Sequence, residues 1–276
     1  IMAEITQKKG FLGQLMQLPN DDPKKTIFIA IVLCLVCSVL VSTAAVSLKS
    51  RQIVNQKNDI RQNILAVTDQ FEPGMDMEAA FEKFEVRLVD LATGQYAETD
   101  LDPATYDQRK ASGSPDLGVR LDNQQDVAGI GSRAKYAPVY ILRDGDKIQQ
   151  LVIPIHGYGL WSTMYGFLSL GSDFNTIQGL RFYEHAETPG LGGEIENPRW
   201  LAKWEGKKIY DENGNVEFRV ARGYVDNNSP QAEYKVDGLS GATLTSKGVS
   251  NMISFWLGED GFGPYLQSMR SEQGIN

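Results

Sequence analysis

Residues 26–48 (TIFIAIVLCLVCSVLVSTAAVSL) run for 23 positions without a charge, and this run constrains the layout of the rest of the chain. At 1.5 Å per residue a helix of that length is roughly 35 Å long, enough to cross a hydrocarbon core of about 30 Å. We read one membrane span. A cleaved secretory signal would also offer small residues such as Thr43, Ala44 and Ala45, but a 25-residue leader and a 23-residue apolar run exceed the usual signal dimensions. Ion pathways retain Asp, Glu or Lys within their spans, each at a cost of about 3 kcal/mol on insertion scales. This span has none, so it reads as an anchor and packing partner, not a conduit. Cys34 and Cys37 lie three apart on one face of it; packing thiols are preferred here to a shared ligand set.

Charge counting leaves the orientation open. Lys8, Lys9, Lys24 and Lys25 precede the span, and Lys49, Arg51, Lys57 and Arg61 follow it, so the positive-inside rule is tied. The first 25 residues carry four positive and three negative charges and the span none, which leaves −9 on residues 49–276 of a chain with net charge −8. An acidic body is repelled by an anionic cytoplasmic leaflet, which favours the outer side. The expected organisation is a short tail (1–25), a transmembrane helix (26–48) and one extramembrane domain (49–276). A chain that is 42% hydrophobic and 22% charged is not collagen-like, disordered or a disulfide scaffold. Its acidity is the wrong sign for holding a phosphate backbone, which excludes nucleic acid as a partner. Two cysteines, both in the span, give no disulfide framework and no four-thiolate centre. With only His156 and His185, no metal site is expected.

Beyond the span, residues 51–71 place Ile53, Ile60, Ile64 and Val67 on a helical stripe that continues the anchor into the domain, and residues 77–91 pass the same test as a second amphipathic helix. Residues 139–142 and 150–155 flank Asp144-Gly145, and residues 207–210 and 216–220 flank Asn213-Gly214; both dipeptides suit tight hairpins. Residues 157–170 and 177–183 read as further strands. Val249, Met252, Ile253 and Trp256 give an apolar face to a helix starting near Thr245. The expected fold class is α+β: one N-terminal transmembrane helix, then a mainly antiparallel sheet with flanking helices.

Residues 129–134 (GIGSRA) match the G-x-G-x-x-G/A dinucleotide fingerprint, which requires a preceding strand and a following helix. A polar segment precedes it and a strand-like run follows, so the nicotinamide reading fails. No phosphate-binding P-loop, HExxH or GxSxG motif is present. Residues 237–246 (DGLSGATLTS) crowd small residues and hydroxyls just ahead of the amphipathic helix. Unpaired N–H groups and the helix dipole favour an anion there, while the simpler reading is a Ser/Thr cap with a glycine turn that needs no ligand.

Asp-x-x-Ser-Gly-Ala-Thr at 237–243 resembles the flavinylation motif of the membrane-bound FMN-binding domains. Its order with GYGLW (157–161), HAETPGLGG (185–193), SGATLTS (240–246) and FWLGEDGFGPYL (255–266) is similar, nearly end to end, to the family of C subunits of Na+-translocating NADH:quinone reductases. The resemblance implies FMN joined through its phosphate to the Thr243 hydroxyl by a flavin transferase, with Ser240, Gly241, Ala242, Leu244 and Thr245 forming the attachment loop. It implies a ring pocket of Trp161, Glu187, Thr188 and Leu191, apolar and stacking surface from Trp161 and Leu191, and hydrogen-bonding groups from Glu187 and Thr188. Unaided, Trp161 is an ordinary core anchor and Glu187 an ordinary turn residue; His185 and His156 are assigned to structure and packing. The family's work is electron relay from NADH towards quinone, in a complex with other subunits that exports Na+. That makes the chain a single-pass flavoprotein of the bacterial inner membrane with its domain in the periplasm, binding neither NADH nor Na+ by itself. The alternatives are the FMN-bearing subunit of a ferredoxin:NAD-type ion-translocating complex and a non-redox membrane-anchored binding domain.

Overall fold

A computed structural model describes residues 18–274; residues 1–17 of the expected tail, with Lys8 and Lys9, lie outside the described residues. The chain divides into two compact units, Ile1–Asn58 and Asp59–Asn276. Helix α1 (Pro23–Val67) is continuous, so the expected span and its expected continuation are one element. It ends at Val67, not Phe71. Asp69 enters the left-handed region (φ 55°) and the Gln70 N–H returns to the Leu65 carbonyl at 2.8 Å, a stop that a continuing helix cannot make. In the first unit the helix is long and apolar enough to cross a membrane, and Ile27, Leu33, Leu40 and Val46 stand exposed along it.

The second unit opens with the last turns of α1 and runs through α2 (Met77–Phe81), β1 (Phe84–Asp90), β2 (Gln95–Tyr96), α3 (Gln108–Ser112), β3 (Gly118–Arg120), β4 (Ser132–Ala134), β5 (Tyr136–Asp144), β6 (Lys147–Tyr158), β7 (Thr163–Gly171) and β8 (Ile177–Glu184). It closes with α4 (Pro198–Leu201), β9 (Arg219–Val220), β10 (Lys235–Val236), α5 (Thr243–Trp256) and α6 (Gly263–Glu272). Six strands form an antiparallel sheet in the order β2-β1-β5-β6-β7-β8. Alternation along β6 shows why both faces are covered. Leu151, Ile153 and Ile155 enter a large core with Trp256, Phe262 and Leu266, whereas Val152 points the other way, to a smaller core with Ile64, Leu65 and Val67. The expected α+β class is the observed one.

Four local expectations are corrected. Residues 77–91 are not one helix: α2 stops at Phe81, and β1 pairs residue by residue with β5 from Phe84↔Leu142 to Asp90↔Tyr136. Residues 157–170 are not one strand, because the chain turns at 159–162 between β6 and β7. The second expected hairpin shrinks to a single Tyr210↔Val216 bridge, and β9 pairs in parallel with β10 instead. The C-terminal helix starts at Thr243, two residues early. The first hairpin stands as expected, with Gly145 at φ 59°.

Candidate functional site

Helix α5 begins without a side-chain cap: Ala242 holds the cap position and offers no acceptor. Its first internal bond runs from the Ser246 N–H to the Ala242 carbonyl (3.0 Å). The N–H groups of Thr243, Leu244 and Thr245 therefore find no acceptor among the described residues, leaving the partial positive charge of a helix start facing outward. The hydroxyls do not supply the expected cap. Ser246 turns back to accept the Leu239 N–H (3.1 Å), Thr245 is committed elsewhere, and Thr243 is exposed at the first helical position.

At 100° per residue, the first two turns of α5 present two opposed faces. Thr245, Gly248 and Met252 look towards the β6–β7 hairpin; Thr243, Ser246, Lys247 and Ser250 look away from it. On the hairpin face the approach is close enough that a Cβ on Gly248 would lie 2.5 Å from the Tyr158 carbonyl oxygen. Thr245 Oγ1 donates to Glu187 Oε2 at 2.6 Å. The other oxygen, Oε1, accepts the N–H groups of Leu160 (3.0 Å) and Trp161 (2.9 Å). Glu187 is only 4% exposed. Burial pushes its pKa up, but the Thr245 hydroxyl and the Trp161 and Leu160 amides outweigh that and hold it below the ordinary glutamate value of 4.5. An ionised carboxylate with no ion-pair partner among the described residues thus locks the hairpin turn to the helix.

Around this lock lie the other residues expected of the ring pocket. Trp161 Nε1–H donates to Thr188 Oγ1 (3.1 Å), and a Cβ on Gly241 would meet Leu191 Cδ2 at 3.0 Å. Trp161, Leu191 and Leu244 are 63%, 44% and 58% exposed, an apolar group turned to solvent instead of the core. Trp161 is therefore not the core anchor that its residue type alone suggests. The structure brings Trp161, Glu187, Thr188 and Leu191 together with the 240–245 loop. At Glu187 both oxygens are engaged by the protein's own donors.

His185 and His156 both make internal contacts. His185 Nδ1 accepts the Glu187 N–H (3.1 Å) and its Nε2 meets Glu196 (3.1 Å), so it steadies the lock from behind. The His156 ring lies between Tyr165 and Trp256, its pKa pushed down to about 4 by burial and the Arg109 guanidinium. In the 129–134 segment the amides of Ile130 and Gly131 donate to the Asp126 carboxylate (2.7 Å each), and its last three residues are strand β4, not the start of a helix. The seat a pyrophosphate would need is filled by the chain itself.

On the opposite face of α5 is a cleft of about 840 Å³ onto which Thr243 opens. Sequence reasoning missed two of its residues, Arg222 and Lys247. Helical spacing makes Lys247 legible, four residues on from Thr243 and on the same side. Nothing local marks Arg222. The first residue of the motif, Asp237, is a knot: its carboxylate accepts the Val225 N–H (2.7 Å) and pairs with Lys203 (2.6 Å), and its carbonyl accepts from Trp200 Nε1 (2.8 Å).

A family model described as an FMN-binding domain matches residues 159–258, which contain both faces of the α5 start. The C subunit of the Na(+)-translocating NADH-quinone reductase of Pseudomonas aeruginosa is 46% identical over 255 residues, covering 91% of this chain and 97% of the relative. The crystal structure of Shewanella oneidensis NqrC superposes with a TM-score of 0.72 at 32% identity, over 79% of this chain and 99% of that one. The corresponding protein of Parabacteroides distasonis, also the C subunit of a Na(+)-translocating NADH-quinone reductase, gives 0.61 at 30% identity, over 79% and 96%.

Proposed function

The chain belongs to the family of C subunits of the Na+-translocating NADH-quinone reductases, and from that premise we propose that its FMN-binding domain carries FMN in phosphoester linkage to Thr243. The observation that carries this reading is an exposed hydroxyl at the first position of α5, beside three amide N–H groups that have no acceptor among the described residues. Attachment would form a bond from the Thr243 oxygen to the flavin's phosphorus as the phosphoanhydride bond of an activated flavin nucleotide breaks, the nucleoside monophosphate leaving and the hydroxyl proton passing to solvent; the helix start would stabilise the diester's remaining negative charge. Thr245 has the same hydroxyl in a different setting: it is fully buried and already bonded to Glu187, so it is the poorer acceptor of a large group.

The residues fit a flavin nucleotide. Trp161, Leu191 and Leu244 offer solvent-facing apolar surface for a flat ring, and the Thr188 hydroxyl, accepting from Trp161 Nε1, keeps its own proton for donation. Bound FMN supplies one- and two-electron transfer at its ring system, which the protein positions and shields. Glu187 acts here by position. It fixes the turn that carries Trp161 against the helix that carries Thr243, and it keeps a negative charge close to the ring.

As a subunit of the reductase, the chain relays electrons from NADH towards quinone alongside the other subunits. We assign residues 26–48 to the bilayer of the bacterial inner membrane as an anchor, and residues 49–276 to the periplasmic side, where a flavin transferase completes the protein. The test is mass spectrometry of the proteolytic peptide containing Thr243, with ultraviolet fluorescence of the denatured band. Thr243→Val should abolish both signals while the thermal midpoint stays within about 2 °C, because the exposed hydroxyl makes no internal bond. Fluorescence retained in that variant would move the linkage elsewhere.

A further inference from the structure

The cleft on the far face of α5 is built around charge. Arg219, Arg222, Lys235 and Lys247 line it together with Thr243 and Tyr224, four cations in a chain of net charge −8. Two have partners: Arg219 pairs with Glu217 at 2.7 Å and Lys235 bonds Gln231. Arg222 and Lys247 have no carboxylate within ion-pair distance among the described residues. A cleft lined by charges of one sign focuses their field and raises the local concentration of the opposite ion.

Their placement is not loose. The segment bearing Arg222 is tied to the attachment loop by the Ala221 N–H to the Val236 carbonyl and by the Gly238 N–H to the Gly223 carbonyl, both 2.8 Å. The strands come so close that a Cβ on Gly238 would collide with the Ala221 carbonyl oxygen. Val225 is held in turn by Asp237. Lys247 rides on α5 one turn beyond Thr243. Tyr224, 92% exposed, stands on the rim beside Arg222.

We propose that this cleft holds the phosphate end of the flavin nucleotide, with Arg222 and Lys247 neutralising the phosphodiester on Thr243, while the ring crosses to the opposite face over Leu244 and Leu191 to Trp161. The inference rests on the Thr243 linkage and adds to it a division of labour between the two faces. Arg222 and Lys247 are positioning residues for the tether. They leave the electron-carrying ring to the other flank.

The experiment uses the full chain, produced with its flavin transferase and purified in detergent, as wild type, Arg222→Gln, Lys247→Gln, the double variant and Lys247→Arg. The initial rate of flavin attachment is followed by intact mass, and the 31P resonance of the attached phosphodiester is recorded. Both cations are exposed and screened, so each substitution should slow attachment a few-fold and the double variant about fivefold to tenfold. The 31P resonance should move towards that of a free phosphodiester, and Lys247→Arg should restore both readouts. A slowed attachment with an unmoved resonance would overturn the proposal, making the cations a meeting surface for the transferase. An unchanged rate and resonance would overturn it outright. A wild-type chain without flavin mass would remove the Thr243 linkage itself, a failure visible before any variant is compared.

Discussion

The two faces of the α5 start are built on opposite physical terms. On the hairpin face a carboxylate is buried and ionised, with both oxygens engaged: Glu187 takes the Thr245 hydroxyl and the Leu160 and Trp161 amides, with no cation in ion-pair distance among the described residues. On the cleft face the charges are cations, three of the four exposed, and only Arg219 has an acidic partner among the described residues. A group whose bonds are all internal contributes to folding; a group whose bonds are unmade is available to a ligand. The same helix therefore separates stability from ligand charge across its own diameter. The two kinds of residue should respond differently to substitution.

The largest expected effect is on the hairpin side. Glu187→Ala strands two amides and one hydroxyl around a small cavity, which should cost about 3 kcal/mol of unfolding free energy in urea titration of the flavin-bearing protein. Arg222→Gln and Lys247→Gln, on exposed positions, should each change it by less than about 0.5 kcal/mol. Equal losses on both faces would break the contrast.

Sequence patterns disclose the two faces unequally for a related reason. The loop and helix at 237–256 are contiguous, so local chemistry discloses the helix, with its start displaced by only two residues, but not the attachment, which only the family resemblance supplies. The hairpin at Asp144-Gly145 is legible because a tight turn states its own geometry. Residues 77–91 mislead because Phe81, Phe84, Leu88 and Leu91 satisfy helical spacing, while pairing of 84–90 with 136–142 is a contact between segments that no local pattern announces. The hairpin face joins Trp161, Glu187 and Thr245, far apart in the chain, and only the family resemblance puts them in one place. Arg222 reaches the site through the parallel β9–β10 pair, which an expected 207–220 hairpin displaces. Residue type alone does not say which internal donors a carboxylate already accepts, so the bonds of Glu187 to Thr245, Leu160 and Trp161 are not legible in the sequence.

A smaller effect follows from protonation. The folded pKa of Glu187 lies below 4.5 through its hydrogen bonds, against the opposing pull of burial. A depressed folded pKa contributes stability that is present above the unfolded value and is lost as pH falls through the folded one. Glu187→Gln removes that component, so the stability gap between wild type and variant should be widest above pH 5 and should shrink steadily below about pH 4. Asp237 and Glu85 are also depressed, which makes the difference between the two proteins the informative curve. A gap that stays constant from pH 7 to pH 3 would mean that folding leaves the Glu187 pKa unshifted, and a gap that widens as pH falls would mean that the fold holds the carboxyl protonated.

The smallest stability effect, and the sharpest test of the ring's location, belongs to Trp161. Its side chain is largely in solvent and its bond to Thr188 is replaceable by water, so Trp161→Ala should lower stability by less than about 1 kcal/mol. Stacking against a flat ring has a comparable magnitude, and only the part that differs between oxidised and reduced flavin appears in the midpoint potential. A shift of about 20 mV is therefore expected in a redox titration of the attached flavin. The same titration on Arg222→Gln should show a smaller shift, because a cation at the phosphate lies farther from the ring and is screened by solvent. If Arg222→Gln moves the potential more than Trp161→Ala, the ring lies in the basic cleft, and the division between the two faces of α5 is drawn on the wrong side.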